Sequence, residues 1–304
     1  MRILITGADG QLGTELLRVL HSHDLTPVFW PKFDLLKPEC EAEIRAARPD
    51  MVIHAAAYTD VDGSERDPDQ AMAVNAGGSE RVARAAAAVG ARLIVISTDY
   101  VFDGAKGTPY LETDDPRPLN MYGLSKLEGE RRAAIACPNT LIVRTAWLYG
   151  PNGKNFVKTI ARLAGEQPEL RVVADQRGCP THAGDLADAI ARVLTLDLTG
   201  IVHAAGSGDC TWYDLAVATV QLMGKETPVR PIATEDAKRP ARRPAYSVLA
   251  NRRLAERGIV LPHWADALGR FMTEEQVVGG SRFEVQRPAP GSHNLERRTS
   301  NVEQ

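Results

Sequence analysis

Strand-like apolar runs alternate with stretches of helical period along this chain, and that alternation restricts it to an α/β architecture with a parallel sheet. Arg2-Ile3-Leu4-Ile5-Thr6 opens the series, a run rich in β-branched residues that reads as a buried parallel strand. Further strands are expected at Leu25–Trp30, Met51–Ala55, Leu93–Ser97, Leu141–Arg144 and Ile201–Ala204, with a weaker one near Leu170–Ala174. Helices are expected near Cys40–Ala47, over an alanine-rich stretch at Asp69–Val89, at Tyr122–Ala136 and at Asp185–Thr195. From about residue 207 to 278 the pattern breaks into short helices and proline-rich loops, as a small second domain would. Residues 279–304 have little to bury and read as a flexible tail. No internal repeat is present.

The first strand runs straight into Gly7-Ala8-Asp9-Gly10-Gln11-Leu12-Gly13, and Leu16, Leu17 and Leu20 then continue with helical period. Glycines at a strand-to-helix turn permit positive φ and let backbone N–H groups approach a ligand, and the helix N-terminus behind them favours a pyrophosphate. The spacing is G-x-x-G-x-x-G and departs from the common dinucleotide fingerprint. Its place between the first strand and first helix nevertheless points to dinucleotide binding on a Rossmann-type doubly wound sheet. An acid that would hold an NAD ribose is expected at the end of the second strand, and Trp30-Pro31-Lys32 stands there instead. Lys32 could meet a 2′-phosphate while Asp34 and Leu35 line the adenine. This favours NADPH, with NADH as the alternative, and Lys32 reads equally well as a solvated lysine.

Tyr122 and Lys126 are four residues apart on a predicted helix, which puts them on one face with side-chain bases about 5–6 Å apart. An ammonium beside a phenol favours the phenolate and would lower its pKa from about 10. A phenol tuned in this way exchanges protons with a carbonyl or alcohol oxygen. By itself the pair also fits an ordinary helix surface. Ligands of open α/β sheets bind at the carboxyl ends of strands, where Ala55-Ala56-Ala57-Tyr58-Thr59 and Ser97-Thr98-Asp99-Tyr100 also fall. A hydroxyl, a tyrosine and a lysine converging on a nicotinamide would make a proton-relay site for carbonyl reduction.

With 304 residues and a formal net charge of −3, the chain can bury an ample core and gives no reason to expect nucleic acid or a membrane surface as partner. Cys40, Cys137, Cys179 and Cys210 are scattered, with no metal-ligand spacing, so reduced or buried thiols are expected. The opening strand leaves no room for a signal peptide, and no apolar stretch is long enough to span a bilayer. The expected compartment is the cytoplasm.

Taken together, these motifs resemble the extended short-chain dehydrogenases/reductases, and more narrowly the dTDP-4-dehydrorhamnose reductase family. The similarity runs to about residue 275 through Gly10-Gln11-Leu12-Gly13, Ala56–Asp62, Ser97–Phe102, Tyr122–Lys126, Arg144–Gly150, Asn155–Lys158 and Asp175–Thr181. It implies that Tyr122 donates the proton to a sugar carbonyl, that Lys126 holds the nicotinamide ribose and lowers the tyrosine pKa, and that Thr98 hydrogen-bonds the reacting oxygen. Gly7, Gly10, Gln11, Leu12, Gly13, Asp34, Leu35, Ala56, Ala57, Tyr58 and Thr59 would line the cofactor. Asp99, Tyr100, Trp147, Asn155 and Arg243 would contact a dTDP-sugar. Residues 1–150 with about 170–205 would form the dinucleotide-binding domain, and about 151–169 with 206–278 the sugar-nucleotide-binding domain. Monomer and homodimer both remain open. Some members of the family bind magnesium at a dimer interface, but the sequence marks no ligand set for it.

Each role has a plainer rival. Trp147 could be core, Asp99 could cap the following turn, and the basic run Lys238–Pro244 around Arg243 could be a solvated loop. His54, His182 and His203 read as structural. Cys179 stands where the family usually carries a small residue. A 4,6-dehydratase would need a glutamate at position 100, where Tyr100 leaves one proton-transfer group fewer. A 4-epimerase, or a 4-ketoreductase for another 6-deoxyhexose, is harder to separate. A non-catalytic NADP-binding subunit, resembling the regulatory subunit of methionine adenosyltransferase, would not need Thr98, Tyr122 and Lys126 together.

Overall fold

A computed structural model describes residues 1–278; the tail expected at 279–304 lies outside the described residues. The first half alternates β1 (Arg2–Thr6), α1 (Gln11–Val19), β2 (Asp24–Val28), α2 (Glu39–Ala47) and β3 (Met51–His54). Two short helices follow, α3 (Val61–Arg66) and α4 (Pro68–Met72), then a π-helical turn (Ala73–Gly78) that runs into α5 (Ser79–Ala88). Next come β4 (Arg92–Thr98), α6 (Met121–Ala136) and β5 (Thr140–Thr145). The remainder comprises β6 (Leu148–Tyr149), α7 (Phe156–Glu166), β7 (Leu170–Val173), β8 (Arg177–Gly178), β9 (Thr181–His182), α8 (Ala183–Val193) and β10 (Gly200–His203). It closes with β11 (Cys210–Thr211), α9 (Trp212–Leu222), β12 (Val229–Ile232), α10 (Arg252–Ala255) and α11 (Trp264–Val278).

Six strands form one sheet in the order β10-β5-β4-β3-β1-β2, and every pairing in it is parallel. β5 is buried at all six positions and β1 at four of five, as strands covered on both faces must be. One apolar layer joins Leu12 and Leu16 of α1 to Leu186 and Ile190 of α8 beneath the sheet. The other packs Ile44 of α2 and Val82 and Ala86 of α5 against Leu4, Val52 and Val95. The chain leaves β1 toward the β2 edge and returns to β3 on the other side, so the loops after β1 and β3 diverge and open the switch-point crevice.

Several boundaries differ from those expected. β2 ends at Val28, so Phe29 and Trp30 lie beyond it, with Trp30 72% exposed. The alanine-rich helix is divided by the π-turn at Ala73–Gly78. Leu170–Val173 pairs with β12 outside the six-stranded sheet, which ties it to the 206–278 segment, whereas β10 joins the main sheet. The last segment is more helical than its prolines suggest, since α9 begins with a complete capping box between Thr211 and Asp214. Among the described residues no helix is long and apolar enough to cross a membrane, and no group of three or more His, Cys, Asp or Glu could hold a metal ion.

Candidate active site

The glycine turn is built for close approach. Gly7 has φ of +65°, and a Cβ there would lie 2.8 Å from the Ala56 backbone. A Cβ on Gly13 would stand 2.1 Å from the Gly7 carbonyl oxygen, so β1, the turn and α1 touch backbone to backbone. Gly10 sits in extended conformation as the N-cap of α1, with its N–H donating to Gly7 O at 3.0 Å. This cradle, with its free helix N-terminus, fits the pyrophosphate of a dinucleotide. Gln11 and Leu12 begin α1, and Leu12 is buried. Asp34 accepts from Leu36 N at 2.9 Å, and Leu35 lies under the π-turn against Gly78. Lys32 is exposed beside Trp30.

The Ala55–Thr59 loop is fastened by a residue that sequence reasoning missed. Asn75, on the π-turn and 1% exposed, accepts from Tyr58 N at 2.8 Å and donates to Tyr58 O at 3.0 Å. Its amide also reaches Ser125 Oγ at 2.9 Å on α6, between Tyr122 and Lys126. The Ala55–Thr59 loop and the helix that carries Tyr122 and Lys126 are therefore held by one side chain. Ala56, Ala57 and Thr59 flank this clamp, with Thr59 exposed.

Asn120 caps α6, accepting from Gly123 N at 2.8 Å, and Met121 N donates to Glu65 Oε1. These fix the first turn and hence Tyr122. The structure brings Thr98, Asp99, Tyr100, Tyr122 and Arg243 together. The rings of Tyr100 and Tyr122 meet edge to face, with centroids 5.9 Å apart. Burial of the phenol, reinforced by the nearby Asp99 charge, raises the Tyr122 pKa to about 12, with a hydrogen bond to Thr98 working the other way. This overturns the expectation of a phenol lowered by Lys126. The ammonium instead donates to the Ile96 carbonyl of β4 at 2.7 Å, and its own burial lowers it to about 8 against the pull of Glu130. Sharing a helix face was necessary for coupling but not sufficient, because the long lysine side chain found a closer acceptor. Tyr122 is held in its protonated form, the form a proton donor needs.

Behind Lys126, Glu130 is bound by Arg144 through Nε at 2.9 Å and Nη2 at 2.6 Å, while Ser97 Oγ donates to it. Both charged side chains are almost fully buried. Glu130 lies one turn past Lys126, a spacing readable from sequence, and Arg144 was the single charge in an apolar strand.

Beyond β5, Trp147 adopts φ of +47° and stacks on Trp212 with centroids 3.5 Å apart and planes 6° from parallel. Trp212, at the start of α9, had not been marked by sequence. A Cβ on Gly178 would reach within 2.4 Å of the Trp147 ring. Asn155 caps α7 through Lys158 N at 2.9 Å, and its amide donates to Gln11 Oε1 and Gly150 O at 3.0 and 2.8 Å. Its hydrogen-bonding capacity is spent within the protein, on the cofactor-turn side. Arg243 makes a two-pronged contact to Asp62 at 3.1 and 3.0 Å, and Ala241 N adds a third bond to the same carboxylate. Arg243 also stands beside the Tyr100 hydroxyl, so the basic run is docked against the site by α3.

Asp99 is 2% exposed, and its carboxylate takes hydrogen bonds from the backbone of its own turn, at Asp99 and Tyr100. Its carboxylate accepts from Ser247 Oγ at 2.5 Å and Thr98 Oγ1 at 3.1 Å. Cys179 is buried close to it, within the apolar cluster of Val101, Phe102 and Ala146, and burial raises its thiol to about 12. His54 bridges Thr6 Oγ1 and Ser79 Oγ at 2.7 and 3.2 Å, and His203 Nδ1 contacts the Tyr110 carbonyl at 3.1 Å. His182 is buried beside Tyr149 and Phe271, away from Tyr122 in the fold.

The family described as RmlD substrate binding domain matches residues 1–277. A dTDP-4-dehydrorhamnose reductase of Sinorhizobium fredii is 42% identical over 286 residues, covering 90% of this chain and 97% of its own length. The Escherichia coli enzyme of the same name is 39% identical, with 90% and 98% covered. A solved Bacillus anthracis dTDP-4-dehydrorhamnose reductase in complex with NADP superposes with a TM-score of 0.87 at 39% identity, covering 90% of this chain and 99% of that one.

Proposed function

The chain belongs to the RmlD substrate-binding-domain family, that of the dTDP-4-dehydrorhamnose reductases, and from that premise we propose that its site reduces the 4-keto group of dTDP-4-dehydro-L-rhamnose to dTDP-L-rhamnose. The observation that carries this reading is the convergence of Thr98, a protonated Tyr122 and Lys126 at the carboxyl end of β4. NADPH bound on that turn supplies hydride. The NADP held by the Bacillus anthracis relative and the lack of an acid after β2 both favour the phosphorylated cofactor. Tyr122 delivers its proton to the carbonyl oxygen as that oxygen gains charge. Lys126, which burial brings to about 8, would hold the nicotinamide ribose with its ammonium. Thr98 orients the same oxygen, and Trp147 on Trp212 offers an apolar wall to the sugar ring. Arg243 is suited to a diphosphate. Tyr100, where a dehydratase needs an acid, argues against elimination because its phenol is raised further by burial and by Asp99. The partition into a dinucleotide-binding part built on the six-stranded sheet and a sugar-nucleotide part around α7, α9 and α11 goes with this reading, as do a cytoplasmic location and a monomeric or homodimeric state.

Purified protein mixed with dTDP-4-dehydrorhamnose should oxidise NADPH, read as loss of nicotinamide absorbance, and repetition with NADH gives the cofactor preference. Tyr122→Phe should lower kcat by about 100-fold or more with little change in NADPH affinity. Turnover by wild type no greater than by Tyr122→Phe would sink the reading.

A further inference from the structure

Thr98 carries one hydroxyl proton, and in this structure that proton is committed to Asp99 Oδ1 at 3.1 Å. Thr98 Oγ1 accepts from Tyr100 N at 3.2 Å, and its remaining lone pair faces the Tyr122 hydroxyl, with which it is within hydrogen-bonding reach. A hydroxyl aimed at a carboxylate has no proton left to give a ketone oxygen. The other carboxylate oxygen is gripped by Ser247 Oγ, which comes from the opposite part of the chain and is itself tied down by Ser247 N donating to Arg177 O at 2.8 Å. Asp99 and Ser247 are both almost completely buried. Nothing in hydride transfer to a ketone requires a buried carboxyl at this point.

We propose that Asp99, braced by Ser247, is a positioning residue that sets the direction of the Thr98 hydroxyl proton, and through it the polarisation of the reacting carbonyl; this rests on the reductase reading above. When Asp99 is ionised, Thr98 donates to it and can only accept from its other neighbours. When Asp99 is protonated, its carboxyl donates to Thr98 Oγ1, and the Thr98 proton turns toward the ketone oxygen beside Tyr122. No bond is made or broken in this change beyond the protonation of Asp99 from solvent.

The groups that face Asp99 leave it to titrate alone. Tyr122 from α6 and Cys179 beside β8 are both held neutral to about 12, and Tyr100 on the same turn is raised by burial. Arg243 bears on the Tyr100 hydroxyl, and Lys126 donates to the Ile96 carbonyl. Burial raises Asp99 itself to about 7, with the bonds from Ser247 and Thr98 opposing the rise. The protonated, productive form is therefore present below that value and lost above it. Removing the Ser247 bond should push the midpoint higher.

The test uses the full chain and three variants, Asp99→Asn, Ser247→Ala and Thr98→Val, each checked for folding by NADPH binding. Wild-type kcat with dTDP-4-dehydrorhamnose should fall as pH rises through about 7, a limb distinct from that of Lys126 near 8. That limb should move upward in Ser247→Ala and vanish in both Asp99→Asn and Thr98→Val, with KM little altered. Persistence of the limb at the wild-type midpoint in Asp99→Asn, or its survival in Thr98→Val, overturns the proposal. Infrared titration of the protein without substrate reads Asp99 independently of turnover. The band of a buried protonated carboxyl should disappear near the same midpoint, be missing in Asp99→Asn and shift in Ser247→Ala. An unchanged band in Asp99→Asn overturns the proposal even if turnover is normal. Absence of wild-type turnover with the band behaving as expected removes the reductase reading and leaves the Asp99–Ser247 pair intact as a hydroxyl-orienting device.

Discussion

At the scale of single residues, the site depends on atoms that are absent as much as on those present. Gly13 has no unusual backbone angle, so its requirement is purely one of contact: an added methyl would press into the Gly7 carbonyl and the Ala8 backbone at 2.1 and 2.6 Å. Neither partner is a flexible side-chain end, so the turn must deform. Gly13→Ala is expected to destabilise the protein by about 1–3 kcal/mol, as overpacking does. It should also weaken NADPH binding at least tenfold, because the displaced N–H groups are those that would face the pyrophosphate in the proposed complex. Fluorescence titration with NADPH measures this, and unaltered affinity would contradict the cradle. Trp147 makes the complementary point. A tryptophan at positive φ is an uncommon conformation, and the stack on Trp212 with Gly178 beneath it holds it there.

At the scale of elements, the informative piece is the π-turn at Ala73–Gly78. Its wider winding carries Asn75 to a point where one amide satisfies both backbone groups of Tyr58 and still reaches Ser125 on α6. Gly129 allows this approach, since a Cβ there would lie 2.5 Å from Asn75 O. Asn75→Ala leaves the Tyr58 N–H and C=O without partners, at about 1–3 kcal/mol for each buried group orphaned. The expected result is looser cofactor binding together with a lower kcat, because the loop and the helix bearing Tyr122 are released at once. Steady-state kinetics would separate the two, and a change confined to thermal stability would mean that the clamp has no role in the site. Elements of this kind explain what the sequence made legible. Strands, helices and the glycine turn follow from local pattern, so β1, β3, β4, β5, α1 and α6 were all placed by periodicity alone. Thr98, Tyr122 and Lys126 were legible as short motifs on those elements. Asn75, Ser247 and Trp212 act through contacts between distant segments, which no local pattern encodes, and the Glu130–Arg144 pair joins two locally visible charges that only the fold brings together. The Lys126–Tyr122 coupling failed for a related reason: helix spacing gives proximity, while the acceptor that won, Ile96 O, belongs to another element.

At the scale of the whole molecule, buried titratable groups of opposite behaviour set how stability responds to acid. His54 and His203 are lowered to about 3, in each case chiefly by burial, with the Lys126 charge adding at His54 and the Arg144 charge at His203. A histidine lowered in the folded state contributes stability that is full above its ordinary value of 6.5 and is lost as pH falls toward 3, since the unfolded chain takes up the proton first. Asp99 has the reverse sign. Raised from 3.8 to about 7, it contributes most below its ordinary value and loses that contribution as pH rises through the folded one. Between about pH 4 and 6.5 the two histidines outweigh the single carboxyl by one proton, so unfolding free energy should rise with pH by on the order of 1 kcal/mol per unit. Asp99→Asn removes the opposing proton and should make the slope about twice as steep in the same window. Urea unfolding at a series of pH values measures both slopes. Equal slopes in wild type and Asp99→Asn would mean that Asp99 is already ionised in the folded protein, and the Thr98 hydroxyl would then stay locked on it at every pH in that window.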